Sequence, residues 1–167
     1  MKKGWLIAAV SLIGLGCLTF ACAMCALRWD VANLSTAAYE TNITEVGESF
    51  RHISVTTGTA DVRFALAEDG VCRVACREAE KAKHTVTVEN DTLTIRLDDR
   101  RAWYDYIGFY FGSQTVTVYL PNAGYGALSV RGSTGSAEVP KDFSFSGVDI
   151  TVSTGNADLR ATVSESV

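Results

Sequence analysis

The sequence predicts an all-β domain of β-solenoid-like or β-roll type, carried behind one N-terminal transmembrane helix. Three observations lead there. One phrase recurs three times, as Ile53–Val62 (ISVTTGTADV), Leu128–Val139 (LSVRGSTGSAEV) and Ile150–Leu159 (ITVSTGNADL). The stretch from Gly4 to Leu27 carries no charge. The remainder alternates apolar and polar residues and, with only two prolines in the chain, is rich in Val, Thr and Ile, which fit a pleated, half-buried surface. Each copy of the phrase reads as strand, Thr-Gly turn, strand, with turns at Thr57-Gly58, Thr134-Gly135 and Thr154-Gly155. A unit this small cannot bury its apolar face alone and must stack on its neighbours.

Gly4–Leu27 spans 24 residues, about 36 Å as a helix, enough to cross a bilayer core of about 30 Å. Lys2 and Lys3 precede it, and Trp5 and Trp29 bracket it as interface anchors do. The excess of basic charge before the helix places the N-terminus in the cytoplasm and the C-terminal domain outside, although Arg28 at the far end opposes this. Residues 1–28 are therefore read as a transmembrane signal anchor. A cleaved signal peptide and a lipoprotein remain alternatives. They are disfavoured by the length of the apolar run and by Gly14 and Thr19 three residues before Cys17 and Cys22.

Residues 29–49 are polar and read as a juxtamembrane linker, with a weak helix over Ala32–Tyr39. The β-repeat domain is assigned to 50–167. Ile53 and Val55 alternate with polar residues. After Thr57-Gly58, Ala60, Val62 and Phe64 alternate in the other parity, as a hairpin or solenoid corner requires. Cys72, Val74 and Cys76 form one face of the next strand. Glu78–Lys83 is charged and reads as a loop. Thr85–Glu89 and Thr92–Leu97 flank Asn90-Asp91, a two-residue hairpin signal. Thr115–Leu120 is a strand ended by Pro121. The Thr-Gly pairs at 134 and 154 lie 20 residues apart, a solenoid rung, whereas Thr57 to Thr134 is 77, so the middle strands are not plain repeats. No capping element follows the last strand. That reads as a truncated C-terminus or an edge completed by a partner.

Composition narrows the function. Net charge is −4, and residues 28–167 hold 13 basic and 19 acidic side chains, a difference of −6. Nucleic acid wants a basic face, so it is excluded as a partner. His52 and His84 have no Cys, Ser or carboxylate at a motif spacing, and no nucleophile–base signature exists. The expectation is a protein that is not an enzyme and carries no cofactor. Cys17, Cys22 and Cys25 act as small hydrophobes in the apolar run. Cys72 and Cys76 share a strand face roughly 13 Å apart at about 3.3 Å per residue. They are too far apart for a disulfide, lack metal-knuckle spacing, and are read as buried thiols. Asp61, Glu138 and Asp158 occupy one position in the three copies and point outward. Stacked in register, the last two lie about 4.8 Å apart; they are read as solvated carboxylates that blunt a sheet edge, with a weak calcium site that relieves their repulsion as the alternative.

The candidate interaction patch is Trp103, Tyr104, Tyr106, Phe109, Tyr110 and Phe111. Two readings stand: a plug for the open end of the stack, which is preferred, or an exposed patch for a sugar polymer, lipid face or protein partner.

The motif set of Phe50-x-x-Ile-x-Val, the Gly-x-Ala-Asp-Val turn, the Val88–Ile95 hairpin, Val116–Pro121 and the tandem Thr-Gly-x-Ala-Asp copies resembles the bacterial putative-adhesin family, a β-strand-repeat domain of unknown function of Gram-positive type. The resemblance covers about residues 50–161. It implies an extracytoplasmic β-solenoid-like fold and, for some members, a link to envelope stress. The expected role is adhesin-like binding or scaffolding at the envelope by a single-pass cell-membrane protein, with wall polymer or another membrane protein as partner. The alternative is an accessory sensor or regulator of envelope stress.

Overall fold

The computed structural model describes residues 2–26, 28–29, 39–103 and 113–164. The chain divides into two compact units, one holding the N-terminal helix and the other the strands.

Helix α1 runs Lys2–Ala26. Its Gly4–Ala26 segment is long and apolar enough to cross a membrane, a property it shares with signal sequences. Thr19 disposes of its hydroxyl within the helix, donating to the carbonyls of Leu15 and Gly16 at 3.0 and 2.9 Å. The helix closes with paired reverse bonds: Trp29 N–H to Met24 O at 2.8 Å and Arg28 N–H to Cys25 O at 3.1 Å. Arg28 takes the left-handed φ of 55° that this closure requires, without the glycine usual there.

The second unit is mostly β. Its strands are β1 (Tyr39–Val46), β2 (His52–Thr57), β3 (Ala60–Leu66), β4 (Cys72–Ala79), β5 (Ala82–Glu89), β6 (Thr92–Asp99), β7 (Gln114–Leu120), β8 (Gly124–Thr134), β9 (Ala137–Val139), β10 (Ser144–Thr154), β11 (Ala157–Leu159) and β12 (Thr162–Val163). All belong to one curled sheet, ordered β11-β9-β3-β7-β4-β5-β6-β2-β8-β10-β12, with β1 beside β4. Inward-facing residues of the two arms share one core, among them Ile53, Val55, Val62, Val74, Ile95, Val116, Val118, Leu128, Val130 and Phe145.

The Thr-Gly turns are corners and not hairpins. β2 pairs in parallel with β6 and β8, while β3 pairs in parallel with β7 and β9. Each corner carries the chain from one arm of the sheet to the other. β10 and β11 repeat the step over β8 and β9 at a constant offset of 20, as in Leu128↔Val148, Thr134↔Thr154 and Ala137↔Ala157.

The odd spacing of 77 also has a structural reason. The first copy stacks on the second at an offset of 75 on both sides of the corner, as in Ile53↔Leu128 and Val62↔Ala137. The two corners are therefore equally long, and the second copy's Thr-Gly pair falls two residues beyond the register position of Thr57-Gly58. The slip is even, so inward residues remain inward. Between the first two copies the chain builds the other side of the stack. β6 and β7 lie against β2 and β3, and antiparallel β4 and β5 lie beyond them.

Several expectations hold. Asn90 and Asp91, with φ of 50° and 61°, make the tight turn joining β5 to β6. Cys72, Val74 and Cys76 face the core, and both thiols are free. Other expectations are corrected. Glu78–Lys83 is not a loop: β4 runs to Ala79, and β5 starts at Ala82 after a two-residue turn. Tyr39–Val46, inside the segment read as linker, is a strand paired with β4 along its whole length.

Candidate functional site

Of the predicted aromatic patch, only Trp103 lies among the described residues, and it is 76% exposed. Tyr104, Tyr106, Phe109, Tyr110 and Phe111 lie outside them. Register nevertheless defines the insertion that holds them. Ile53 pairs with Leu93 at an offset of 40, and Ala60 pairs with Gln114 at 54, so the β6–β7 corner has 14 residues more than the β2–β3 corner.

The repeat turns form a tight corner column. Gly135 has φ +127°, and a Cβ there would stand 2.6 Å from Ala60 O. Gly155 has φ +139°, and its Cβ would stand 1.8 Å from Gly135 O. Only glycine lets these backbones approach, and Gly135 N–H uses the space to donate to Thr154 O at 3.0 Å. Thr134, Thr154 and Gly155 are exposed, whereas Thr57 is buried.

The three equivalent carboxylates find partners within the chain. Glu138 and Asp158 do stack in register. Arg63 lies 3.9 Å from Glu138, and Arg160 lies 2.6 Å from Asp158. Asp61 is displaced by the even slip and accepts from Ser136 N–H at 2.8 Å. An arginine beside each of the two stacked carboxylates offsets their repulsion.

A second cluster was not legible as a motif. The alternation of β4 continues past Cys76 and puts Glu78 on the core face, 1% exposed. His84 enters from β5, and the ring and carboxylate are both almost fully enclosed. Glu78 Oε2 accepts from His84 N–H at 2.6 Å and meets His84 Nδ1 at 2.8 Å, while Oε1 accepts from Asn42 of β1 at 2.9 Å. His84 Nε2 lies 3.1 Å from the Thr57 hydroxyl. One network thus ties β1, β4, β5 and the first corner, and among the described residues no buried side-chain polar atom lacks a partner. Cys76 stands beside it. Burial, reinforced by the Glu78 charge, pushes its thiol up to about 12, and burial alone pushes Cys72 to about 11. Thiols held protonated in this way are poor nucleophiles. The signal that could have revealed the cluster is parity. Positions 72, 74, 76 and 78 share one face, and a two-residue turn returns the chain with Ala82, His84 and Val86 facing inward.

His52 has a different task. Its Nδ1 accepts from Ala127 N–H at 2.9 Å, and the ring occupies the space a Cβ on Gly126 would need.

A family model, Toastrack DUF4097, matches residues 50–167. The chain belongs to the Toastrack DUF4097 family. The predicted putative-adhesin resemblance is thereby borne out. No curated protein matches the chain in sequence. Among solved structures, this Toastrack chain is similar to a putative cell adhesion protein of Clostridium sporogenes, with 11% identity, a TM-score of 0.50, and coverage of 72% of this chain and 59% of that one. It is also similar to a putative adhesin of Bacteroides fragilis, with 16% identity, a TM-score of 0.48, and coverage of 74% and 58%. A putative lipid binding protein of Parabacteroides distasonis follows, with 14% identity, a TM-score of 0.37, and coverage of 71% and 61%. The chain spans about three fifths of the length of these proteins. Likeness at such identity concerns fold.

Proposed function

We propose that this Toastrack chain is a membrane-anchored cell-surface β-repeat protein with an adhesin-like binding or scaffolding role at the bacterial envelope. In this reading α1 crosses the cell membrane once, with Lys2 and Lys3 on the cytoplasmic side and the curled sheet outside. The parallel stack is a short β-solenoid in which each rung is two strands joined by a corner.

The observation that carries the reading is the enlarged β6–β7 corner. The stacked strands on either side fix the register, so the chain between β6 and β7 is 14 residues longer than between β2 and β3. This segment includes six of the chain's aromatics, and Trp103, the first, is solvent-exposed. Aromatic side chains of this kind suit polymer or protein recognition. A binding role is also supported by the enclosure of the Thr57–His84–Glu78 chain, which leaves its hydroxyl directed into protein and not toward a substrate.

The test is in two stages. A C-terminal tag on intact cells is digested by added protease if the sheet lies outside; a protected tag overturns the surface reading. Purified full chain in detergent is then offered cell-wall polymer and membrane extract. Retention of polymer that falls with Trp103→Ala, at unchanged thermal stability, supports the adhesin-like role. Co-purification of a membrane protein without polymer favours the second reading, an accessory sensor or regulator of envelope stress. That alternative is supported by the strands at the β10–β11 end of the stack: among the described residues β11 pairs only with β9, and β12 covers only Ser144 and Phe145 of β10, an arrangement suited to strand addition by a partner.

A further inference from the structure

We infer that Cys76, Glu78 and His84 form a buried site for one divalent transition-metal ion of the zinc class. The Sγ, a carboxylate oxygen and a ring nitrogen of these residues all lie within 4.8 Å of one another. Ligands of a tetrahedral ion with bonds of about 2.0–2.3 Å stand roughly 3.3–3.8 Å apart, so modest closure of the thiol and modest opening of the Glu78–His84 contact would fit the ion. Thiolate, imidazole and carboxylate together are a donor set that suits zinc.

The surrounding contacts are those that metal ligands require. A ligating histidine holds its other ring nitrogen on a hydrogen-bond partner; His84 Nε2 has the Thr57 hydroxyl. A ligating carboxylate is oriented through its second oxygen; Glu78 Oε1 has the Asn42 amide. The two β4 ligands are alternate residues on one strand face, and the third comes from the adjoining strand one turn later. The backbone therefore presents all three without a long loop.

Charge also balances. Binding M²⁺ releases the thiol proton to solvent, and the Cys76 thiolate with the Glu78 carboxylate neutralises the ion. The Nδ1 proton that faces Glu78 in the empty site is exchanged through solvent for one on Nε2, so that Nδ1 offers its lone pair to the ion and Nε2–H donates to Thr57. The remaining position goes to water. A neutral assembly avoids the cost of a buried net charge.

Cobalt(II) titrated into the full chain in detergent, with thiols reduced, tests this. One saturating equivalent should give a thiolate-to-cobalt charge-transfer band, and zinc should displace it and raise the thermal midpoint. Cys76→Ser should abolish the band. Cys72→Ser, and replacement of Cys17, Cys22 and Cys25 together, should leave it intact. Asn42→Ala, which removes only an orienting contact, should weaken cobalt affinity by ~10–100-fold. No band, a band that survives Cys76→Ser, or one that depends on the helix cysteines would overturn the site. If Cys76→Ser does not fold, the Asn42→Ala affinity and the triple helix variant still decide the matter.

Discussion

The two ends of the β stack are finished differently. At one end, β4 and β5 run antiparallel to β7 and β6, meet each other at Ala79↔Ala82, and take β1 along the remaining edge of β4. At the other, β10 and β11 repeat the rung beneath them, and among the described residues the short β12 covers only Ser144 and Phe145. Val139 and Leu159 occupy the same place, one 20-residue step apart. Val139 is 0% exposed and Leu159 is 41% exposed. The same sequence unit is core in one rung and surface in the next. What decides burial is the neighbour on the outer side, as expected where each unit contacts only adjacent units.

Four experiments can break or sharpen this contrast. The largest effect belongs to the closed end. Glu78→Ala removes a buried partner of His84 and Asn42 and should cost about 3–5 kcal/mol of unfolding free energy in denaturant titration. A loss below about 1 kcal/mol would mean that the network does not hold that end together. Next is the corner column. Gly135→Ala forces a side chain against Ala60 O at a left-handed φ, and about 3 kcal/mol of global stability should be lost. Gly155→Ala, one rung out, should instead accelerate hydrogen exchange of the β11 amides with a smaller global loss. Equal global effects would erase the distinction between the ends.

Third, Val139→Ala should cost about 2 kcal/mol and Leu159→Ala less than about 1 kcal/mol, although Leu is the larger side chain. The reverse order would show that the outer rung is covered in solution. The smallest effect is on pH dependence. Cys72 and Cys76 have folded pKa values raised above the ordinary 9.0, so the folded state keeps thiol protons that the unfolded chain gives up. Their contribution to stability is complete below about pH 9 and is lost as pH rises toward 11 to 12. Serine at both positions should make the alkaline decline shallower than in the parent chain.

Local pattern made much of the sheet readable. The Asn90-Asp91 turn, the inward row of Cys72, Val74 and Cys76, and the strand ending at Pro121 follow from turn chemistry and a period of two. β1 was not readable. Tyr39–Val46 has no apolar alternation, and its Ile43 is 65% exposed. It is a strand because β4 offers an edge. Glu78 was missed for a related reason: a charged residue at a core position reads as loop until its partners from β1 and β5 are known.

By itself, the sequence determined the apolar helix, the repeated strand–turn–strand unit, the inward parity of each strand and the glycine at each outer corner. These depend on neighbours within a few residues, where backbone sterics and side-chain alternation suffice. Only the tertiary structure decided that the turns are corners, that β6 and β7 lie beneath the first copy, and that Asn42, Thr57, Cys76, Glu78 and His84 converge. Those outcomes depend on which edges pair across long separations, through backbone hydrogen bonds that any sequence can make. Shared burial of the two arms selects among them.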